Sequence, residues 1–238
     1  MVYSFVSGLA QYRKQLLTLA DKKQALVLQR FFKTGVGEYG AGDVFLGIRV
    51  PDQRTLARQF LNLDLTELQQ LLNSKIHEHR LGALLVLIAQ YQAGNDQVKK
   101  KIFNFYLKNT GRINNWDLVD LSAPNIVGDF LLKRERKILY RLAKSPNLWE
   151  RRIAIVATFT FIRNNDFSDT LKIATVLIAD SHDLIHKAVG WMLRELGKRD
   201  QKIEKEFLKQ HASKMPRTML RYAIEKFPPA TRRFYLKI

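Results

Sequence analysis

Residues 115–123 read NWDLVDLSA, and four other stretches lie over them in register: HRLGALLVL (79–87), RRIAIVATF (151–159), HKAVGWMLR (186–194) and LRYAIEKFP (220–228). The second residue of each forms a column, Arg80, Trp116, Arg152, Lys187 and Arg221, with spacings of 36, 36, 35 and 34 residues. A period of this size marks stacked helix pairs, each burying an apolar face against its neighbours. It predicts an all-α, HEAT-like helical-repeat solenoid of about six antiparallel helix pairs with a concave basic face. The expected layout is one domain over residues 1–238: N-terminal helices in 1–33, a glycine-rich loop in 34–51 and repeats in 52–238.

Local patterning agrees with that class. Phe5, Leu9, Tyr12, Leu16 and Leu17 recur at helical spacing, as do Leu65, Leu68, Leu71 and Leu72, and Ile173, Val176 and Leu177. Convincing period-two strands are absent. Asp64 before LTELQQLL, with Glu67 three residues on, reads as a helix start; so does Ser145-Pro146 before NLWERRIAIV.

The charge balance points to the partner class. Lys and Arg number 40 against 22 Asp and Glu, a formal charge of +18, which favours a polyanion, with nucleic acid first and an anionic membrane surface second. MVYSFVSGLAQYRKQ, residues 1–15, lacks the apolar core of a secretion signal, and no apolar run reaches the length of a membrane span. A cytoplasmic protein, associated with the nucleoid through DNA, is expected. With no cysteine there is no disulfide, thiolate nucleophile or cysteine-ligated metal, and His77 and His79 are spaced to point to different sides of a helix. No metal site is therefore expected.

In the column, one cation per repeat would line the same side of the array at a spacing suited to a phosphate backbone. The plainer reading is that these are ordinary cations on a solvated face. The stretch TGVGEYGAGDVFLG, residues 34–47, holds five of the 12 glycines. It lacks the Lys-Ser/Thr ending of a phosphate loop, so nucleotide binding is rejected and a flexible inter-helix loop is expected, one that could lie close to a nucleic-acid backbone.

Four residues beyond the column stand Leu84, Asp120, Val156, Trp191 and Glu225, one turn on and on nearly the same helix side. Ordered stacking of the helices would bring Trp116, Asp120, Arg152 and Trp191 to one stretch of the trough. The bland alternatives are core tryptophans, an Asp120 that merely answers surrounding cations, and an Arg152 that pairs with Glu150 or Asp120. Asp117 suits a helix N-terminal carboxylate favoured by the dipole. A carboxylate in a trough that holds phosphate repels DNA unless something positive answers it. A cationic alkylated purine supplies that charge: aromatic faces attract it, and a carboxylate stabilises the oxocarbenium character that develops as its N-glycosidic bond breaks.

These residues carry a resemblance. FLGIRVPDQR (45–54), NWDLVDLSAPNIVGDFLL (115–132), NLWERRIAIV (147–156) and HKAVGWMLRE (186–195) resemble the AlkD-type DNA glycosylases, bacterial HEAT-like repeat proteins that excise positively charged alkylated bases, and the similarity spans essentially the whole chain. The resemblance implies Asp120 as the catalytic carboxylate, with Trp116 and Trp191 as aromatic walls. It implies Arg152 as a DNA-contacting arginine near the lesion, and a lesion that stays stacked in the duplex rather than flipped out. Residues 21–33, DKKQALVLQRFFK, resemble the family's N-terminal recognition helix, with Phe31 as a DNA-contacting aromatic.

The expected function is a monofunctional DNA glycosylase acting on N3- and N7-alkylated purines in double-stranded DNA, with Arg152, Lys187, Arg80, Arg221 and Phe31 contacting DNA. No metal, nucleotide or flavin cofactor is implied, and a monomer is assumed. The alternatives are a catalytically inactive repeat protein that binds branched or damaged DNA, and a protein-interaction scaffold.

Overall fold

The computed structural model describes residues 8–238, so Phe5 of the first expected face lies outside the described residues. Among these the chain is helical, and the extended pairing present is an isolated parallel bridge between Val44 and Ile76. The helices are α1 (Gly8–Thr18), α2 (Lys22–Phe31), α3 (Val50–Ala57), α4 (Leu65–Leu72), α5 (His77–Ala93), α6 (Asp96–Lys108), α7 (Trp116–Ala123), α8 (Asp129–Leu131), α9 (Lys137–Ala143), α10 (Leu148–Ala157), α11 (Phe159–Arg163), α12 (Ser168–Leu177), α13 (Asp183–Gly197), α14 (Gln201–His211), α15 (Arg217–Ala223) and α16 (Pro229–Tyr235). They form two compact units, one up to Leu118 and one from Val119, so the division falls inside α7.

The repeat register survives in the helix boundaries. Arg80 is the fourth residue of α5, Trp116 the first of α7, and Arg152, Lys187 and Arg221 are each the fifth of α10, α13 and α15. Each of these helices follows a partner, α4, α6, α9, α12 or α14, as a helix-pair repeat requires. No described helix is long and apolar enough to cross a membrane.

In the first unit α3 and α4 pack against α5. Asp64 caps α4: its Oδ1 accepts the amides of Thr66 and Glu67, both at 2.8 Å, while Glu67 Oε2 accepts the Asp64 amide at 3.1 Å. That closes a capping box and satisfies donors a helix start otherwise leaves unpaired. α1 buries Leu9, Tyr12 and Leu16 but turns Leu17 outward, because successive residues on a helix point about 100° apart. α2 buries none of its residues and leaves Leu26, Val27 and Phe31 exposed.

In the second unit α13 packs against α10, α12, α14 and α15. Its Gly190 allows the approach to α15, since a Cβ there would lie 2.4 Å from the Met219 carbonyl oxygen. α12 buries Ile173 and Leu177, four apart, while Val176 is exposed. α10 starts later than Ser145-Pro146 suggests. Its cap is Asn147, whose side chain accepts the Trp149 amide at 2.9 Å, and the Ser145 hydroxyl instead accepts the Asn147 amide at 3.0 Å. A π-helical turn, Pro124–Gly128, joins α7 to α8, with Pro124 unable to donate and its carbonyl taking the Thr160 hydroxyl at 2.6 Å.

Candidate functional site

Asp120 and Arg152 form a two-pronged pair in the second unit. Arg152 Nε donates to Asp120 Oδ1 and Nη2 to Oδ2, both at 2.8 Å, and Nη1 donates to the Leu184 carbonyl. The planar fork fixes the plane of the carboxylate, which a single lysine contact would not do. The arginine side chain is 5% exposed and the aspartate 16%, so the carboxylate is the member that reaches the surface. Trp191, on α13, is half-buried with its ring 5.7 Å from that of Phe159. One turn earlier on the same helix, Lys187 Nζ lies 2.7 Å from Asp183 Oδ2.

Trp116 belongs to the first unit and is half-buried in aromatic surroundings. Phe32 stacks on it at 5.0 Å and 17°, Phe31 meets it edge-on at 5.9 Å, and its Nε1 donates to the Tyr39 hydroxyl at 3.2 Å. Phe31 itself is 62% exposed at the end of α2.

Behind these rings lies a buried polar network. His77 Nε2 lies 2.7 Å from Asp117 Oδ2 and His77 Nδ1 3.4 Å from Asp43 Oδ2; Arg80 Nη2 donates to Asp43 Oδ2 at 2.6 Å, and Asn115 to the same oxygen at 3.4 Å. Burial disfavours a charged His77, but the charge and hydrogen bond of Asp117, with the hydrogen bond of Asp43, outweigh it and push the imidazole up to about 9. Burial likewise works against an ionised Asp43, yet hydrogen bonding to His77 and the charges of Arg80 and His77 bring it below the usual carboxylate range. His79 lies outside this network. Burial and the charge of Arg13 lower it to about 4, and its Nδ1 lies 2.9 Å from the Ser74 hydroxyl.

The glycine-rich loop is bound into the same region. Fully buried Glu78 accepts the amides of Leu46, Gly47 and Ile48 at 2.9, 2.8 and 3.3 Å, and the Asp21 amide donates to the Leu46 carbonyl at 2.9 Å. Gly47 has φ +84°, and a Cβ there would fall 2.1 Å from the Asp21 carbonyl oxygen, so both conformation and space demand glycine. The expectation of a flexible inter-helix loop is therefore corrected for its second half. Gly47 there serves a tight passage beneath α2, anchored by a carboxylate that local composition does not reveal.

The column also divides. Arg80 and Arg152 are buried and paired with carboxylates, whereas Lys187 is half-buried and Arg221 exposed. The expectation of one outward cation per repeat fails at Arg80 and Arg152, because at those positions a carboxylate from another segment, Asp43 or Asp120, draws the guanidinium inward. Asp117 holds the helix start as expected, its Oδ1 accepting the Leu118 amide at 2.8 Å, and in addition binds His77. Among the described residues no group of three or more His, Asp or Glu side chains is arranged to hold a metal ion. The sequence reading missed Asp43, His77 and Glu78. The available signal was HEHR, residues 77–80, three polar residues and an arginine directly ahead of the apolar run LGALLVL.

The family model described as DNA alkylation repair enzyme matches residues 12–227. The chain belongs to the DNA alkylation repair enzyme family. Among solved structures it is similar to a "Predicted DNA alkylation repair enzyme from Enterococcus faecalis", at 17% identity and TM-score 0.68 over 88% of this chain and 97% of the other. It is also similar to smu.31 from Streptococcus mutans UA159 (19% identity, TM-score 0.54) and to AlkD2 from Streptococcus mutans (19%, 0.55), each over 93% of this chain and 99% of the other. At such identities these likenesses establish the helical-repeat fold of the DNA alkylation repair family member. No curated protein matches it.

Proposed function

We propose that this member of the family is a monofunctional DNA glycosylase that hydrolyses the N-glycosidic bond of cationic N3- and N7-alkylated purines in duplex DNA. The observation that carries the reading is the Asp120–Arg152 fork: a carboxylate fixed in plane by a buried guanidinium, with its aspartate side partly open.

The chemistry suits a lone carboxylate. When the bond to a cationic base breaks, its electron pair returns to the base nitrogen and the base leaves neutral, so no general acid is needed. The positive charge passes to the deoxyribose, where Asp120 stabilises it and orients a water toward C1′. The water oxygen bonds to that carbon, and its proton passes to Asp120 and then to solvent. Trp116 and Trp191 offer aromatic faces to the cationic base, each contact worth about 0.5–2 kcal/mol. Lys187 and Arg221 hold phosphates and Phe31 meets the DNA surface, while Arg152 and Arg80 act through the carboxylates they hold.

Incubation with N-methylated duplex followed by analysis of the free bases tests this. Wild type releases 7-methylguanine, and Asp120→Asn lowers the rate by about 10²–10³, the usual loss for one well-placed electrostatic group. Equal rates remove the role of Asp120. Salt-steep DNA binding with no base release favours a non-catalytic DNA-binding protein instead.

A further inference from the structure

We propose that His77 is a positioning residue for Trp116, acting as a buried cation within a cluster of four rings in which Phe32 touches both the imidazole and the indole. The proposal rests on the glycosylase reading for its consequence in catalysis but on the first unit alone for its structure.

The cluster is continuous from imidazole to indole. His77 lies on Phe45 at 4.5 Å and 23°, Phe45 on Phe32 at 5.0 Å and 19°, and Phe32 on Trp116 at 5.0 Å and 17°, with His77 also 5.2 Å from Phe32. A second link runs through the chain: His77 Nε2 bonds the carboxylate of Asp117, the residue directly after Trp116. The third runs through the loop, because Asp43 faces both His77 and Arg80, and the same loop supplies Phe45 and the Tyr39 hydroxyl that takes the indole N–H. The side chain at one end of α5 therefore bears on the indole through its ring wall, its backbone neighbour and its hydrogen-bond partner.

Protonation makes this linkage strong. An imidazolium over a phenyl face gains a cation–π attraction that a neutral ring lacks, and its bond to Asp117 is charge-assisted. The charged groups that face His77 are Asp117 from α7, Asp43 from the loop and Arg80 from its own helix; Phe32 and Phe45 contribute no charge. The two carboxylates balance the two cations, which keeps His77 protonated with a midpoint of about 9. The sign follows: a histidine raised above its ordinary 6.5 contributes stability that is complete below that value and is lost as pH rises through about 9. Phe32 already covers one face of Trp116, so the angle at which this wall holds the indole decides what the remaining face can offer to DNA. Asp120 is held separately by Arg152. Loss of the His77 proton should therefore weaken substrate binding and leave turnover in place.

Tryptophan fluorescence between pH ~7 and ~10 tests the structural part without any catalysis, because a nearby imidazolium and a shift of the neighbouring rings both alter indole emission. The wild-type signal should titrate with a midpoint near 9, and the change should vanish in Trp116→Phe. His77→Gln should abolish it, and Asp117→Asn, which keeps the ring but removes its counter-charge, should move the midpoint down toward 6.5. In 7-methylguanine release, KM should rise about fivefold to tenfold through the same midpoint with kcat little changed. A titration that persists in folded His77→Gln, an unmoved midpoint in Asp117→Asn, or a fall in kcat at constant KM overturns the proposal. Should His77→Gln not fold, Asp117→Asn and the wild-type titration still decide it. If no base is released at any pH, the glycosylase reading fails, and the fluorescence titration with binding of methylated duplex still judges the positioning role.

Discussion

Two buried charge clusters, one in each unit, use the same groups to different ends. In the first unit Asp43, Arg80, His77 and Asp117 form a closed set in which every carboxylate answers more than one partner, and their side chains are 3–11% exposed. In the second unit both oxygens of Asp120 accept from the Arg152 guanidinium, and the aspartate side chain remains 16% exposed. The closed cluster spends its charge on holding a loop and a helix start together. The open pair keeps a carboxylate oriented and partly exposed. Two Asp–Arg contacts that look alike in a sequence thus separate by how far the carboxylate is open to solvent.

Substitution of each carboxylate should expose that difference. Asp43→Ala leaves Arg80 buried without a counter-charge and should destabilise the protein by about 3–5 kcal/mol in chemical denaturation. A loss under about 1 kcal/mol would mean that the first cluster is not closed, since surface pairs are worth that much. Asp120→Asn keeps an acceptor for Arg152 and should instead lose far more in base release than in stability. If denaturation shows the reverse, Asp120 belongs with Asp43.

The units should also differ in their response to alkali. Glu204, in the second unit, is buried with Oε1 lacking a hydrogen-bond partner, and burial, outweighing the charge of Lys205, pushes it up to about 8. A carboxyl raised this way contributes stability that is complete below its ordinary 4.5 and is lost as pH rises through about 8. Thermal midpoints across the pH range should fall first in that window and then in the later one set by His77. Glu204→Gln should remove the first fall and leave the second. A profile unchanged by the substitution would place the titrating group elsewhere. Smallest in expected effect is Asp64→Ala, which opens the capping box of α4 and should cost about 1 kcal/mol in the same denaturation assay.

Much of the helical architecture could be read from the chain. The repeat period set Arg152, Lys187 and Arg221 at the same position of three successive second helices, and Asp64 with Glu67 marked a cap that the structure reproduces. Readings that relied on a residue's own neighbourhood fared less well. Leu17 and Val176 belong to apolar runs yet face outward, and Ser145-Pro146 stands two residues before the true cap at Asn147. Among the column residues, Arg80 and Lys187 look equivalent in sequence. Arg80 is paired with Asp43, 37 residues away, while Lys187 is paired with Asp183, four residues away on the same helix.

By itself the sequence determined that this chain is a basic array of helix pairs, that NWDLVDLSA lies in the second helix of one of them, and that Asp120 and Trp116 stand one turn apart within it. Periodicity is a local property, fixed by 3.6 residues per turn and by the need of each pair to bury its apolar side. Only the tertiary structure decided which charges are closed off and which remain open. It drew Arg80 and Arg152 into ion pairs, set His77 between two aspartates and bound the glycine-rich loop to Glu78. Those outcomes rest on contacts between segments 30 or more residues apart, where desolvation and the geometry of a partner, not the residue type, settle whether a charge faces solvent or holds the fold.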